Sequence, residues 1–175
     1  MWAREPGFST LIRIILEQQV SLASARATYE RLLASVAPLT PEGFLALHDI
    51  ALGKIGFSRQ KIAYGRYLAQ SIAEGRLDLG ELDSLDDETA RSRLTKLKGI
   101  GLWTADIYLL MALRRPDVWP GGDLGLMLAV QDVKRLSSRP DPNVMTAIAE
   151  SWRPWRAVAA RLLWHHYLSG SGRPE

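Results

Sequence analysis

Along most of the chain apolar residues recur every three or four positions, the period of an α-helix, and no strand-like alternation of useful length interrupts them. Phe8, Leu11, Ile12 and Ile15 form one stripe of a first helix, which the polar pair Gln18-Gln19 ends. Ser21 then serves as N-cap of a second helix. Pro38 and Pro41 break the chain, and Thr40 caps a short helix running through Leu47. Lys54 to Ser58 reads as a turn whose serine caps a helix from about Arg59 to Glu74, and the acidic stretch Asp83 to Asp87 precedes a helix ending near Lys96. Leu102 to Leu113 is apolar on nearly every face, with Asp106 its only charge, which predicts a helix buried among others. A loop with Pro116, Pro120, Gly121 and Gly122 leads to a helix from about Asp123. Pro142 and Pro154 suit first helical turns, which predicts helices over 142–151 and 154–168. The tail Ser169 to Glu175 is expected to fray. The fold class is therefore all-α.

Composition narrows the chemistry. The 175 residues include no cysteine, so disulfides, Cys-ligated zinc, iron–sulfur clusters and thiol nucleophiles are excluded. No apolar run approaches the roughly 20 residues of a membrane span, and Met1 to Glu5 opens no secretory signal, so a cytoplasmic protein without membrane association is expected, a monomer by default. A net charge of +3 permits nucleic acid as a partner, provided the charge is placed to meet it.

The most informative stretch is Leu97-Lys98-Gly99-Ile100-Gly101-Leu102-Trp103-Thr104-Ala105, between two predicted helices. Two glycines around one aliphatic residue allow a tight turn, and Leu97 and Ile100 anchor it in a core. Such a turn is either an ordinary connection between helices or an anion site, where backbone N–H groups and the helix dipole meet a phosphate beside Lys96 and Lys98. Asp123 follows Gly121-Gly122 and precedes an apolar run. There it is an N-cap, and the same carboxylate, favoured in its charged form by the dipole, is suited to stabilising a cationic sugar or orienting a water.

These residues resemble the helix-hairpin-helix, Gly/Pro-Asp (HhH-GPD) superfamily of base-excision DNA glycosylases, and more closely its alkylation-repair branch, the 3-methyladenine DNA glycosylases of the second type. Further motifs in the same order carry the resemblance over nearly the whole chain: Gly7-Phe8, Leu16-Glu17-Gln18-Gln19-Val20-Ser21, Gly56-Phe57-Ser58-Arg59-Gln60-Lys61 and Trp152-Arg153-Pro154-Trp155-Arg156.

The resemblance implies two helical lobes flanking a cleft in a single domain over residues 1–175: a central lobe of about 22–120 with the hairpin at 94–105, and a second lobe of about 1–20 plus 123–168. It implies double-stranded DNA with damaged bases as partner, and base flipping followed by hydrolysis of the N-glycosidic bond in base excision repair. By the same likeness Asp123 is the catalytic carboxylate, as base towards water or as electrostatic partner of an oxocarbenium-like sugar. Trp103 stands where lyase-active members carry a Schiff-base lysine, which implies a monofunctional enzyme. Trp103, Ile107 and Trp164 line the base pocket, where an indole face attracts a cationic methylpurine. Ile107 occupies a position where close relatives can carry an aromatic. Gln18 and Gln19 lie at the wedge that fills the gap left by the extruded nucleotide, with Gln19 the direct counterpart. Gly99 and Gly101 turn their N–H groups to phosphate, with Lys96 and Lys98 beside them. The carbonyls of Thr95, Leu97 and Ile100 would hold a structural Na+ or K+, and catalysis needs no cofactor. Two alternatives remain open from the residues: a non-catalytic DNA-binding or damage-sensing module, and a glycosylase for another lesion such as an oxidised purine.

Overall fold

The computed structural model describes residues 3–170. Among these residues it is helical throughout, with ten α-helices, a 3-10 turn at Glu81–Ser84 and no strand. Residues 171–175 of the tail expected to fray lie outside the described residues; Ser169 inside them caps the last helix, its N–H donating to the His165 carbonyl. The chain divides into two compact units, Met1–Leu113 and Arg114–Glu175.

The first unit holds α1 (Phe8–Glu17), α2 (Leu22–Ser35), α3 (Pro41–Ala46), α4 (Asp49–Ile55), α5 (Arg59–Ala73), α6 (Asp87–Thr95) and α7 (Leu102–Met111). Ser21, Thr40 and Ser58 accept hydrogen bonds from the backbone N–H three residues on, as the sequence predicts for N-caps. Each such cap is worth about 1 kcal/mol. The helix α4 is a departure: the sequence reading had only a turn over Lys54–Ser58. Seven residues are too few to display a period, and the helix buries just Leu52 and Ile55. Gly56 ends it at φ 118°, and the Arg31 guanidinium donates to the Ile55 carbonyl at 2.7 Å.

Two helices make the core of this unit. α7 is buried from Thr104 through Met111, and α1 buries Phe8, Leu11, Ile12, Ile14, Ile15 and Leu16. That is wider than one stripe, so α1 needs neighbours on several sides, and it finds them in α2, α5 and α7. The first compact unit accordingly includes α1 and ends at Leu113. The Tyr108 hydroxyl, deep in this core, accepts the Gly7 N–H at 2.9 Å.

The second unit holds α8 (Leu124–Val133), α9 (Pro142–Glu150) and α10 (Arg156–Leu168), with α8 packed on α10. α10 starts two residues after Pro154, later than predicted. Its start is pinned to the loop before α8: Asp117 accepts from the Arg156 N–H and from both Nε and Nη2 of its guanidinium, at 3.3, 2.8 and 3.0 Å. Burial would raise the Asp117 carboxyl, but the hydrogen bonds from Arg156 and the charges of Arg156 and Arg153 prevail and hold it below the usual carboxylate range.

Candidate functional site

In the first unit the site is the turn between α6 and α7. Leu97 and Ile100 are buried as anchors, and the Ile100 N–H closes the turn on the Leu97 carbonyl at 3.0 Å. Gly99 sits at φ 90°, a conformation glycine adopts without penalty. A Cβ there would lie 2.1 Å from Cγ of Tyr64, so the turn is seated directly on that ring. Nothing in the spacing of the sequence links Tyr64 to Gly99. The helices on either side are clamped together, because Arg91 of α6 donates to Asp106 of α7 at 2.7 Å and to Glu88 at 2.7 Å. Burial alone would lower the Arg91 guanidinium, but Asp106 and Glu88 more than offset this and raise it, so the clamp stays charged. Asp106, the one charge on a buried helix, is thereby accounted for.

α7 begins at Gly101 without a side-chain cap, and Lys96 and Lys98 are exposed beside the turn. A helix start of this kind, next to two ammonium groups, suits a phosphate. Trp103 is half-buried in the first turn of α7, and Ile107, one turn on, is 2% exposed. Among the described residues no group of His, Cys, Asp and Glu could hold a metal ion. An ion at Thr95, Leu97 and Ile100 would rest on neutral backbone carbonyl oxygens, a hard-oxygen donor set.

The Gln18-Gln19 pair, one unit in the sequence reading, separates in the structure. Gln18 is half-buried, and its Nε2 donates to the Gly99 carbonyl and to Oγ1 of Thr104, both at 2.9 Å. Gln19 is exposed at φ 56°. Of the two side chains, only that of Gln19 is exposed.

In the second unit the site is the start of α8. Asp123 is its N-cap: Oδ1 accepts the Leu126 N–H at 2.9 Å. The same oxygen accepts the indole N–H of Trp164 at 2.9 Å, and Trp164 is 6% exposed. Its side of α10 carries buried Ala157 and Ala160, while Trp155 and Leu162 face out, as the helical period predicted. Beyond the expected pocket role, then, Trp164 orients the carboxylate. Two further residues belong here that the sequence reading missed. A Cβ on Gly125 would lie 3.2 Å from Oδ1 of Asp123 and 3.3 Å from Cδ1 of Tyr167, so glycine at 125 lets carboxylate and ring both close on the first turn of α8. The i, i+3 spacing of Trp164 and Tyr167 was the available signal, since it sets both on one face of α10.

The family model of the HhH-GPD superfamily base excision DNA repair protein matches residues 12–154. The Bacillus subtilis protein named "Putative DNA-3-methyladenine glycosylase YfjP" is 31% identical over 165 residues, covering 90% of this chain and 58% of that protein. Schizosaccharomyces pombe DNA-3-methyladenine glycosylase 1 is 31% identical over 169 residues, covering 94% of this chain and 73% of the relative. The structure of an S. pombe 3-methyladenine DNA glycosylase in complex with abasic DNA matches with a TM-score of 0.88 at 29% identity, covering 93% of this chain and 81% of that one. The chain thus spans little more than half the length of the B. subtilis relative. A matched family model over most of the chain, together with an uncapped glycine hairpin and a carboxylate at the start of α8, gives one conclusion: the chain belongs to the HhH-GPD superfamily of base excision DNA repair proteins.

Proposed function

We propose that this chain is a monofunctional DNA glycosylase that flips alkylated purines of the 3-methyladenine type out of duplex DNA and hydrolyses their N-glycosidic bond. The observation that carries the reading is Asp123, whose Oδ1 is held by the Leu126 N–H and the Trp164 indole N–H together. Both of these donors are neutral N–H groups, and together they fix the position of Oδ1. A carboxylate fixed in this way stabilises positive charge as it develops on the sugar, or orients the attacking water, with no reorganisation to be made during the reaction. Alkylated purines carry formal positive charge and leave readily, so a strong general acid is not required. Cationic lesions also suit an indole face, an attraction of about 1–2 kcal/mol when desolvated. Both relatives described above carry the matching name, and one matched structure holds abasic DNA, the product of such a reaction.

In the first unit, Gly99, Gly101, Lys96 and Lys98 grip the phosphate backbone, and Gln19 fills the gap in the stack. The carbonyls of Thr95, Leu97 and Ile100 would hold a monovalent cation that stiffens the hairpin, apart from any chemistry. The absence of a lysine at Trp103 supports hydrolysis without strand cleavage, because no amine stands there to form a Schiff base.

The deciding experiment is incubation with methylated duplex DNA and chromatography of the released bases. Release of 3-methyladenine is expected from the native protein, and a drop of about 100-fold or more from Asp123→Asn, with binding to abasic-site DNA retained. Undiminished release from Asp123→Asn would sink the catalytic assignment, and no release by either protein would leave a DNA-binding module. Borohydride trapping is expected to give no covalent adduct; a trapped adduct would refute the monofunctional reading.

A further inference from the structure

We infer that Gln18 is a positioning residue that locks the turn bearing Gln19 to the phosphate-gripping hairpin, so that wedge and backbone grip engage DNA as one rigid piece. This rests on the base-flipping reading above.

The turn after α1 is set in an unusual conformation: Gln19 lies at φ 56°, where a side chain other than glycine costs about 1 kcal/mol or more. Such a residue persists only where its neighbours hold it. Before it, Lys61 of α5 donates to the Leu16 carbonyl at 2.7 Å, and the Gln18 N–H donates to the Ile15 carbonyl at 3.3 Å. After it, Ser21 caps α2. The remaining restraint comes from far along the chain. Nε2 of Gln18 reaches Gly99, 81 residues on, and Thr104, 86 residues on. Gly99 is itself the left-handed residue of the hairpin, pressed on Tyr64, and Thr104 is buried in the first turn of α7.

One side-chain amide therefore joins the two turns of the first unit that the functional reading assigns to DNA. Both N–H bonds of that amide are used within the protein, which removes Gln18 from the wedge and leaves the task to Gln19. The mechanical consequence follows. A wedge enters the stack usefully only when it stands in fixed register with the phosphates held nearby, and a displacement of about 1 Å in such a constellation is expensive. Gln18 supplies that register, and without it the turn and the hairpin would each meet the duplex independently.

A double-mutant cycle tests the linkage. Dissociation constants for a duplex with an abasic analogue are measured for Lys98→Ala, Gln19→Ala and both together, first in the native background and then with Gln18→Met, which keeps length and removes both donors. In the native background the two substitutions are expected to be non-additive by at least about threefold, and with Gln18→Met the coupling should fall to none. Single-turnover base release should slow about tenfold in Gln18→Met. Should that variant fail to fold by circular dichroism, Gln18→Glu, equal in size and unable to donate to the Gly99 carbonyl, is read in its place. Equal coupling in both backgrounds would overturn the proposal while leaving the glycosylase reading intact. A native protein with no preference for the abasic analogue over undamaged duplex would overturn both.

Discussion

The starts of α7 and α8 look alike in sequence and are completed in opposite ways. Each follows a glycine-bearing turn and leads into an apolar helix, Gly99-Ile100-Gly101 in one case and Gly121-Gly122-Asp123 in the other. Each concentrates partial positive charge from unsatisfied N–H groups. At α8 the chain brings its own anion, Asp123, and bonds it to Leu126 and Trp164. At α7 it brings no side-chain cap at all. Glycine at an N-cap lies within a few tenths of a kcal/mol of aspartate, so the first unit forgoes little stability by leaving this start, like those of α1 and α4, without a side-chain cap. Two glycine-bearing turns can thus look alike in sequence while only one of them supplies its own anion.

The two turns also differ in how far they need glycine, and this gives the largest expected effect. Gly99→Ala forces a Cβ into the Tyr64 ring at φ 90°, so a loss of roughly 3 kcal/mol of stability is expected from strain and overpacking together, with the grip on DNA lost. Gly122→Ala meets nothing within 4 Å and should change stability by no more than about 0.5 kcal/mol. Urea unfolding of the two variants compares them directly; equal losses would erase the distinction.

Next comes an exchange of roles. Gly101 is extended, at φ −87°, and a Cβ on it meets nothing within 4 Å, so Gly101→Asp gives α7 the cap that α8 already has. Stability should rise by a few tenths of a kcal/mol, about 0.3. Affinity for duplex DNA should fall by about 10-fold or more, since a hydrogen-bonded carboxylate would occupy the phosphate position. A thermal melt and a fluorescence titration read the two together. A variant that gained stability and kept its affinity would show that the phosphate binds elsewhere.

Much of this contrast was legible in the residues, and the parts that were not share a cause. Caps and helix spans follow from neighbours in the chain, so Ser21, Thr40, Ser58 and Asp123 were all readable as N-caps. The hairpin was readable as well, because Leu97, Gly99 and Ile100 define its turn locally. The partners that hold these features in place were not: Tyr64 under Gly99, Gln18 on Gly99 and Thr104, and Trp164 on Asp123 come together only through helix packing. Gln18 and Gln19 show the limit most clearly. They are adjacent and chemically identical, and a change of backbone conformation between them sends one inward and the other out. The placement of α1 in the first unit was hidden for the same reason, since its period shows that it is buried and not what buries it.

The anchoring of Asp123 is open to a smaller perturbation. Trp164→Phe keeps an aromatic ring but removes the N–H together with part of the buried indole, while the Leu126 bond still maintains the cap. Stability should fall by about 1 kcal/mol from the smaller buried ring, while single-turnover base release slows about 10-fold, the worth of one hydrogen bond to a charged group. An unaltered rate would mean that the Trp164 N–H is not needed to position the carboxylate, and the two helix starts would then differ only in who supplies the anion.

The smallest effect distinguishes the units by pH. In the second unit Asp117 is held below the usual carboxylate range, so the unfolded chain binds its proton first as pH falls. The stability it provides is complete above about pH 4 and is lost as pH drops through the lowered value. In the first unit burial pushes the Tyr108 hydroxyl up, with the Gly7 N–H only partly opposing it. There the sign is reversed: the contribution is complete below about pH 10 and is lost as pH rises through the raised value, because the unfolded phenol ionises first. Urea midpoints measured across pH should therefore fall at both ends. Asp117→Asn should flatten the acid limb alone and Tyr108→Phe the alkaline limb alone, each by a few tenths of a unit of urea molarity or more. Either substitution flattening both limbs would mean that the two units unfold through a shared titration and not through one ionisable anchor apiece.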